Sequence, residues 1–293
     1  MCSHVWVAHP CAGSEQSRLH ASLCILGPEP IGKPGLYVST HHRFESAAAA
    51  RAPLPPNASR LARIQAEGAL RIGTTGDYVP FSVEQDGRLF GSDVELAAQL
   101  AERLGVTPIF VRTTWPTLLE DLRADRFDIG FSGISISAKR EAVASFSLAY
   151  FWVGEVFLTR RRDASKYPNL ASLDHPEIRV LVYPGGTGEH FARAHLTRAQ
   201  IVTFPDKGGA FEEIRAGRVN AMFTDEVDGK VRVHSYPDLS YTLADSPMRD
   251  PKAILMPRGS DLVPAVDAWV TESVAAGEPT RLIERHLREF LGS

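Results

Sequence analysis

Two carboxylates three residues apart, Asp225 and Asp228, close the apolar run Ala221-Met222-Phe223-Thr224, and a glycine pair, Gly185-Gly186, follows another, Val180-Leu181-Val182-Tyr183-Pro184. Acidic groups at the end of a buried strand can pair with an amine or pass a proton. Glycines after a strand let the backbone approach a ligand, and the free N–H groups where the next helix begins, here near Thr187, seat an anion. An anion seat and a carboxylate pair on neighbouring strand ends make a small-molecule pocket. Each feature also has a plain structural use: many glycine pairs mark ordinary turns, and Asp225 is placed to cap the helix after it. Farther back, Asp77, Tyr78, Phe81 and Trp115 set an acid beside aromatic surface. Such surface holds ring-bearing or apolar ligands and can face a cation, although a single aromatic residue is more often core.

The elements that must position these residues are legible from about residue 66 onward. Residues 69–73 form a strand, and 94–105 carry apolar residues at helical spacing, with glycine at the stop and Ser92 or Asp93 as a cap. A second strand covers 108–112, a helix opens at 113–116 and ends near Arg126, and 127–131 is a third strand. Strands alternating with helices imply parallel pairing in an α/β layer. The stretch 122–131 is echoed by 214–223, each a helix end, a tight turn and a buried strand, which implies two similar lobes. Lobe 1 takes 69–159 and 253–293, and lobe 2 takes 160–252, with crossings near 158–162 and 244–253. A strand at 252–257 and two helices within 262–291 finish the chain. Two crossings make a hinge, and the cleft between the lobes is where a ligand sits.

At 293 residues, with 44% hydrophobic and 23% charged, the chain is long enough for two domain-sized units and carries no membrane-spanning stretch. A net charge of −3 gives no basis for a nucleic-acid or anionic-membrane partner. Cys2, Cys11 and Cys24 follow no zinc spacing, so neither a metal, a cofactor nor a structural disulfide is expected. Residues 1–68 read as a disordered leader and linker, with a Pro- and Ala-rich stretch at 47–56. Small residues of an export cleavage site stand there, but the apolar run of about 7 to 15 residues that should precede them does not.

Taken together, 74–81, Gly91-Ser92-Asp93-Val94, Phe127-Asp128-Ile129, Gly133-Ile134-Ser135, Arg140 and Thr224-Asp225 resemble the type-2 periplasmic solute-binding proteins that serve amino-acid ABC transporters. The resemblance covers 70–287. It implies an α/β fold of two lobes, each a mostly parallel sheet flanked by helices, in an extracytoplasmic or periplasmic protein that delivers its ligand to a permease. It also implies a ligand set of Asp77, Tyr78, Trp115, Gly133, Ser135, Arg140, Tyr183, Gly186, Thr187 and Asp225. In that set Arg140 would hold a carboxylate two-pronged, and Asp225 would meet an α-amino group. Without the resemblance, Arg140 is equally a surface arginine at a helix end. Thr114-Trp115-Pro116, Pro184-Gly185-Gly186-Thr187 with Glu189, 191–194 and Thr224-Asp225 are similar also to the cyclohexadienyl dehydratases, enzymes built on the same scaffold. These remove carbon dioxide and water from prephenate or arogenate. Two positions depart from that enzyme pattern: Tyr183 stands where it has asparagine, and Asp228 where it has its catalytic glutamate. If the chain is such an enzyme, Asp228 is the acid, one methylene shorter, and a misplacement near 1 Å can cost roughly a hundredfold in rate. A solute-binding protein for an amino acid or a related small carboxylate, serving ABC-type uptake, is therefore the leading expectation and a dehydratase the alternative.

Overall fold

The sequence echo is an echo of structure. In the computed structural model, which describes residues 42–45, 59–204, 207–242 and 248–292, helix Leu118–Arg123 ends in a turn at Asp125, with a left-handed φ of 57°. Helix Lys207–Arg215 ends in the same turn at Gly217, φ 73°. After each turn a polar side chain fixes the next strand to its parallel neighbour. Asp128 accepts from the Arg71 N–H at 3.0 Å, and Asn220 accepts from the Arg179 N–H at 2.9 Å. Aspartate and glycine share the left-handed position because glycine has no Cβ to clash and aspartate is among the side chains that tolerate it. Asp125 is further anchored by Arg60 and Arg63, at 2.6 and 2.7 Å.

Two mixed sheets result. The first runs Thr107–Arg112, Ala69–Thr74, Ile129–Gly130, Leu255–Pro257, Ala144–Phe146; its first three strands are parallel and its last two antiparallel. The second runs Gln200–Thr203, Arg179–Val182, Ala221–Asp225, Phe151–Arg160, Leu239–Tyr241, with the same division. Each sheet is parallel only on the side built by strand–helix–strand units. On the other side one strand per sheet, Leu255–Pro257 or Phe151–Arg160, arrives from the opposite lobe and runs the reverse way, adding antiparallel pairings to the parallel half of each sheet. The first core gathers Leu70, Ile72, Leu96, Leu100 and Trp269. The second is split across its sheet, with Phe157, Val180 and Phe223 on one face and Leu158, Leu181 and Met222 on the other, as the two-residue alternation of buried strands requires.

The lobes meet at a hydrogen-bonded ladder. Phe151–Gly154 pairs antiparallel with Arg249–Lys252, and from Glu155 onward the same strand belongs to the second sheet. The first crossing therefore lies at 151–154 and not at 158–162, because one unbroken ten-residue strand carries the chain across. Lys252 falls in this ladder rather than in the strand after it, which begins at Leu255. An apolar cluster of Tyr78, Phe81, Val153, Val227 and Ile283 joins hinge and both lobes.

The expectation of disorder through residue 68 needs correction at its end. Arg60–Glu67 is a helix capped by Ser59, whose Ile64 is fully buried in the first core. Phe44 bridges to Phe110, and the Arg112 guanidinium lies 3.9 Å from its ring. The stretch 47–56 and the three cysteines lie outside the described residues. Among those described, no helix is long and apolar enough to cross a membrane, and no cluster of ligating side chains could hold a metal ion.

Candidate functional site

The cleft between the lobes encloses about 590 Å³ of space open to solvent. Of the residues expected to line it, Tyr78, Trp115, Gly133, Ser135, Arg140, Tyr183, Gly186, Thr187, Asp225 and Asp228 all do; Asp77 does not. Asp77 stands behind the wall, where its carboxylate accepts the Trp115 indole N–H at 3.1 Å and so fixes the ring that faces inward.

Arg140 lies in the last turn of the short helix Ala138–Glu141 and is 6% exposed. One guanidinium nitrogen donates to the Ser135 carbonyl at 2.7 Å, and no carboxylate among the described residues pairs with it. Burial lowers its pKa to about 10, the response of a cation held away from water, only partly offset by the charge of Asp250. The helix Thr187–His195 points its N-terminus at the same space. Gly186 is its N-cap and offers no side-chain bond, and Thr187 and Gly188, whose first-turn N–H groups have no intrahelical acceptor, line the cleft. Glu189 takes the Gly185 N–H at 2.9 Å, holding the glycine turn that brings this backbone close.

Asp225 serves both roles considered for it. One oxygen caps helix Glu226–Ser235 by accepting from the N–H groups of Val227 and Asp228, both at 2.9 Å; the other accepts from the Tyr78 hydroxyl across the cleft. Burial raises its pKa, against the field of Lys252. Burial likewise pushes the Tyr78 and Tyr183 phenols well above their usual range, so both present neutral hydroxyls. Asp93, one of the two expected helix caps, does not cap: the N-cap is Gly91, and Asp93 instead accepts from the Gly133 N–H and the Tyr150 hydroxyl beneath the cleft.

Asp228 reaches the cleft with its oxygens already engaged, by Arg232 at 3.1 Å and the Thr224 hydroxyl at 3.1 Å. It offers the cleft an anion held in an ion pair. Lys252, Glu155 and Asp250 are the charged residues that the sequence reading missed. Lys252 is buried, with its ammonium 2.8 Å from Ser135 Oγ and 3.2 Å from the Tyr78 hydroxyl. Glu155 lines the cleft at 4% exposure, and burial pushes its carboxyl well above the usual carboxylate range, opposed by the Lys252 ammonium and aided by the neighbouring carboxyls of Asp225 and Asp250. Asp250 accepts the Thr187 hydroxyl at 2.6 Å. A lone glutamate inside the apolar run Phe151–Leu158 was the available signal, since a strand buried on both faces carries a charge only where something faces it. The cleft thus presents a free cationic fork and helix N–H groups on one side, and buried carboxyls on the other. That arrangement suits a ligand with both an acid and an amine.

Known proteins agree with this architecture. Cyclohexadienyl dehydratase of Pseudomonas aeruginosa is 39% identical over 223 residues, covering 75% of this chain and 83% of that protein. The histidine-binding periplasmic protein of Escherichia coli is 30% identical over 187 residues, 63% of this chain and 66% of that one. Among solved structures, the ancestral amino acid-binding protein AncCDT-1, a precursor of cyclohexadienyl dehydratase, superposes with a TM-score of 0.72 at 32% identity, over 78% of this chain and 100% of that one. An amino-acid ABC transporter substrate-binding protein of Streptococcus pneumoniae, bound to L-arginine, gives 0.73 at 26% identity over 78% and 99%. The profile of the bacterial extracellular solute-binding proteins, family 3, matches residues 70–289, and the chain belongs to that family.

Proposed function

We propose that this chain is an extracytoplasmic receptor for an α-amino acid, closing its two lobes on the ligand and delivering it to an ABC-type permease. The observation that carries this reading is Arg140, a buried guanidinium with no carboxylate partner among the described residues, in one cleft with the buried carboxyl of Asp225. The ligand carboxylate pairs with Arg140 and the N–H groups of Thr187 and Gly188; the α-ammonium replaces the Tyr78 hydroxyl as the partner of Asp225. Both ends become charge-assisted contacts away from water. Calorimetric titration of the full chain with a panel of amino acids tests it. Arg140→Ala is expected to weaken binding at least about a hundredfold, the cost of leaving a buried partner charge unmatched. Arg140→Ala also gives up the bond to the Ser135 carbonyl, so its unfolding is measured alongside, and lost binding by a folded variant is the expected outcome. Absence of binding by any amino acid sinks the reading.

Conversion of prephenate or arogenate is the second reading, favoured by the 39% identity to the Pseudomonas aeruginosa dehydratase. Its acid would be Asp228, which would have to leave Arg232 and Thr224 to protonate a departing hydroxyl. Phenylpyruvate formed from prephenate, and abolished by Asp228→Asn, would favour the enzyme.

A further inference from the structure

Residues 42–45 lie outside the 70–289 stretch matched by the family, yet backbone pairing seats them on the first lobe. His42 bridges antiparallel to Leu89, whose N–H donates to the His42 carbonyl at 2.9 Å. Phe44 bridges parallel to Phe110, and the Glu45 N–H donates to the Phe110 carbonyl at 3.0 Å. Phe110 belongs to Thr107–Arg112, the edge strand of the first sheet, so the segment covers part of that edge. Covering an edge needs only backbone. It does not account for where the Phe44 ring lies.

The ring sits at the roots of two loops that build the cleft wall. Gly76 has a left-handed φ of 70°, and a Cβ there would stand 2.9 Å from a Phe44 ring carbon, so the ring lies directly against the glycine backbone. The next two residues are Asp77 and Tyr78. The Arg112 guanidinium stands 3.9 Å from the centre of the same ring and pairs with Glu84, whose N–H donates to the Gly76 carbonyl at 2.8 Å. Arg112 ends the edge strand, and the chain reaches Trp115 three residues later. Beyond these roots the loops meet again, where the Trp115 indole N–H donates to Asp77 at 3.1 Å. The Trp115 ring stands 5.7 Å from that of Tyr78 and 5.9 Å from the Arg140 guanidinium, so its position shapes the space beside the carboxylate seat.

Resting on the amino-acid reading, we propose that Phe44 is a positioning residue for the ligand site: packed against Gly76 and Arg112 at once, it fixes the Asp77–Trp115 contact and, through it, the wall beside Arg140. Removing the ring leaves a void at the two loop roots. Gly76, with the widest backbone freedom of any residue, turns into that void, Asp77 moves with it, and the indole loses its fixed acceptor. A merely structural Phe44, one more apolar side chain against the first core, would lower stability and leave the site of the folded protein as it was.

Phe44→Ala in the full chain, with Ile64→Val as a control buried in the same core, separates the two roles. Each is measured at a temperature where circular dichroism shows it folded. Solvent exchange of the Trp115 indole proton, followed by heteronuclear magnetic resonance and assigned with Trp115→Phe, reads the contact to Asp77 without any ligand. It should quicken about three- to thirtyfold in Phe44→Ala, the range of a coupling passed along packed side chains, and stay within about twofold of wild type in Ile64→Val. Affinity for the amino acid that wild type binds most tightly in the calorimetric panel should fall by a similar factor in Phe44→Ala alone. Unchanged indole exchange, unchanged affinity, or equal changes in Ile64→Val overturns the positioning role and leaves the amino-acid reading standing. Should wild type bind no amino acid, that reading falls, and the indole exchange by itself decides the role of Phe44. Should Phe44→Ala fail to fold, Phe44→Leu, which keeps apolar bulk but loses the ring face, carries the same test.

Discussion

At the scale of single residues, the same burial that tunes the ligand groups leaves a pH signature in the fold. Asp93 lies under the cleft floor, holding Gly133 and Tyr150, and burial raises its pKa from an ordinary 3.8 to about 6. The folded chain therefore binds this proton more tightly than the unfolded chain does. Its contribution to stability is fully present below about pH 4 and is lost as pH rises through about 6, by about 3 kcal/mol in all. Asp93→Asn keeps an acceptor for both donors and removes the titration, so the stability gap between wild type and variant should change with pH over that window. Urea unfolding at pH 4, 5, 6 and 7 measures it; a gap that stays constant would show that Asp93 does not titrate there. Lys252 and Glu155 illustrate why residue types alone were insufficient. One stands at the edge of an apolar run and the other inside one, and neither position says which face of a strand looks into a cleft.

At the scale of elements, the helix Thr187–His195 is set against the second sheet by a missing side chain. A Cβ on Gly188 would stand 2.5 Å from a ring atom of Phe223, which packs between Phe157 and Phe191 at centroid distances of 4.7 and 5.0 Å. Those rings cannot yield without disturbing the second core, so the helix would have to lift, and its N–H groups with it. Gly188→Ala is expected to cost about 1–3 kcal/mol of stability, as overpacking does, and to weaken ligand binding as the helix N-terminus withdraws. Paired denaturation and titration check this, and a variant as stable and as tight-binding as wild type would refute the close fit. The seating of Arg60–Glu67 is a comparable case from the other lobe. Its two arginines satisfy both Asp125 and Asp128, so a helix outside the two-lobe pattern locks the turn before a central strand.

At the scale of the whole molecule, direct contacts across the cleft join the two lobes. The Tyr78 hydroxyl donates to Asp225 in the opposite lobe, and Val227 packs into the cluster that contains Tyr78, Phe81 and Ile283. In the proposed cycle the ligand ammonium takes over from that hydroxyl. Tyr78→Phe keeps the ring against Phe81 and Trp115, at 4.8 and 5.7 Å, and removes only the latch. Small-angle scattering should then show a larger radius of gyration in the ligand-free variant than in wild type, and equal radii with ligand bound. Equal radii in both states would place the latch elsewhere. The sequence by itself determined the α/β character, the repeated helix–turn–strand unit, the two terminal helices and ten of the cleft-lining residues. The first three are written in local patterns, apolar periodicity and turn glycines, whereas the cleft-lining set, Gly133, Ser135 and Arg140 above all, comes from the resemblance to the solute-binding proteins. Only the tertiary structure decided that Lys252 and Glu155 share the cleft, with Asp250 hydrogen-bonded to Thr187 at its edge. Their placing depends on the register of the ladder joining Phe151–Gly154 to Arg249–Lys252. A one-residue shift there would turn every side chain to the other face, and that register is set by contacts between segments nearly a hundred residues apart.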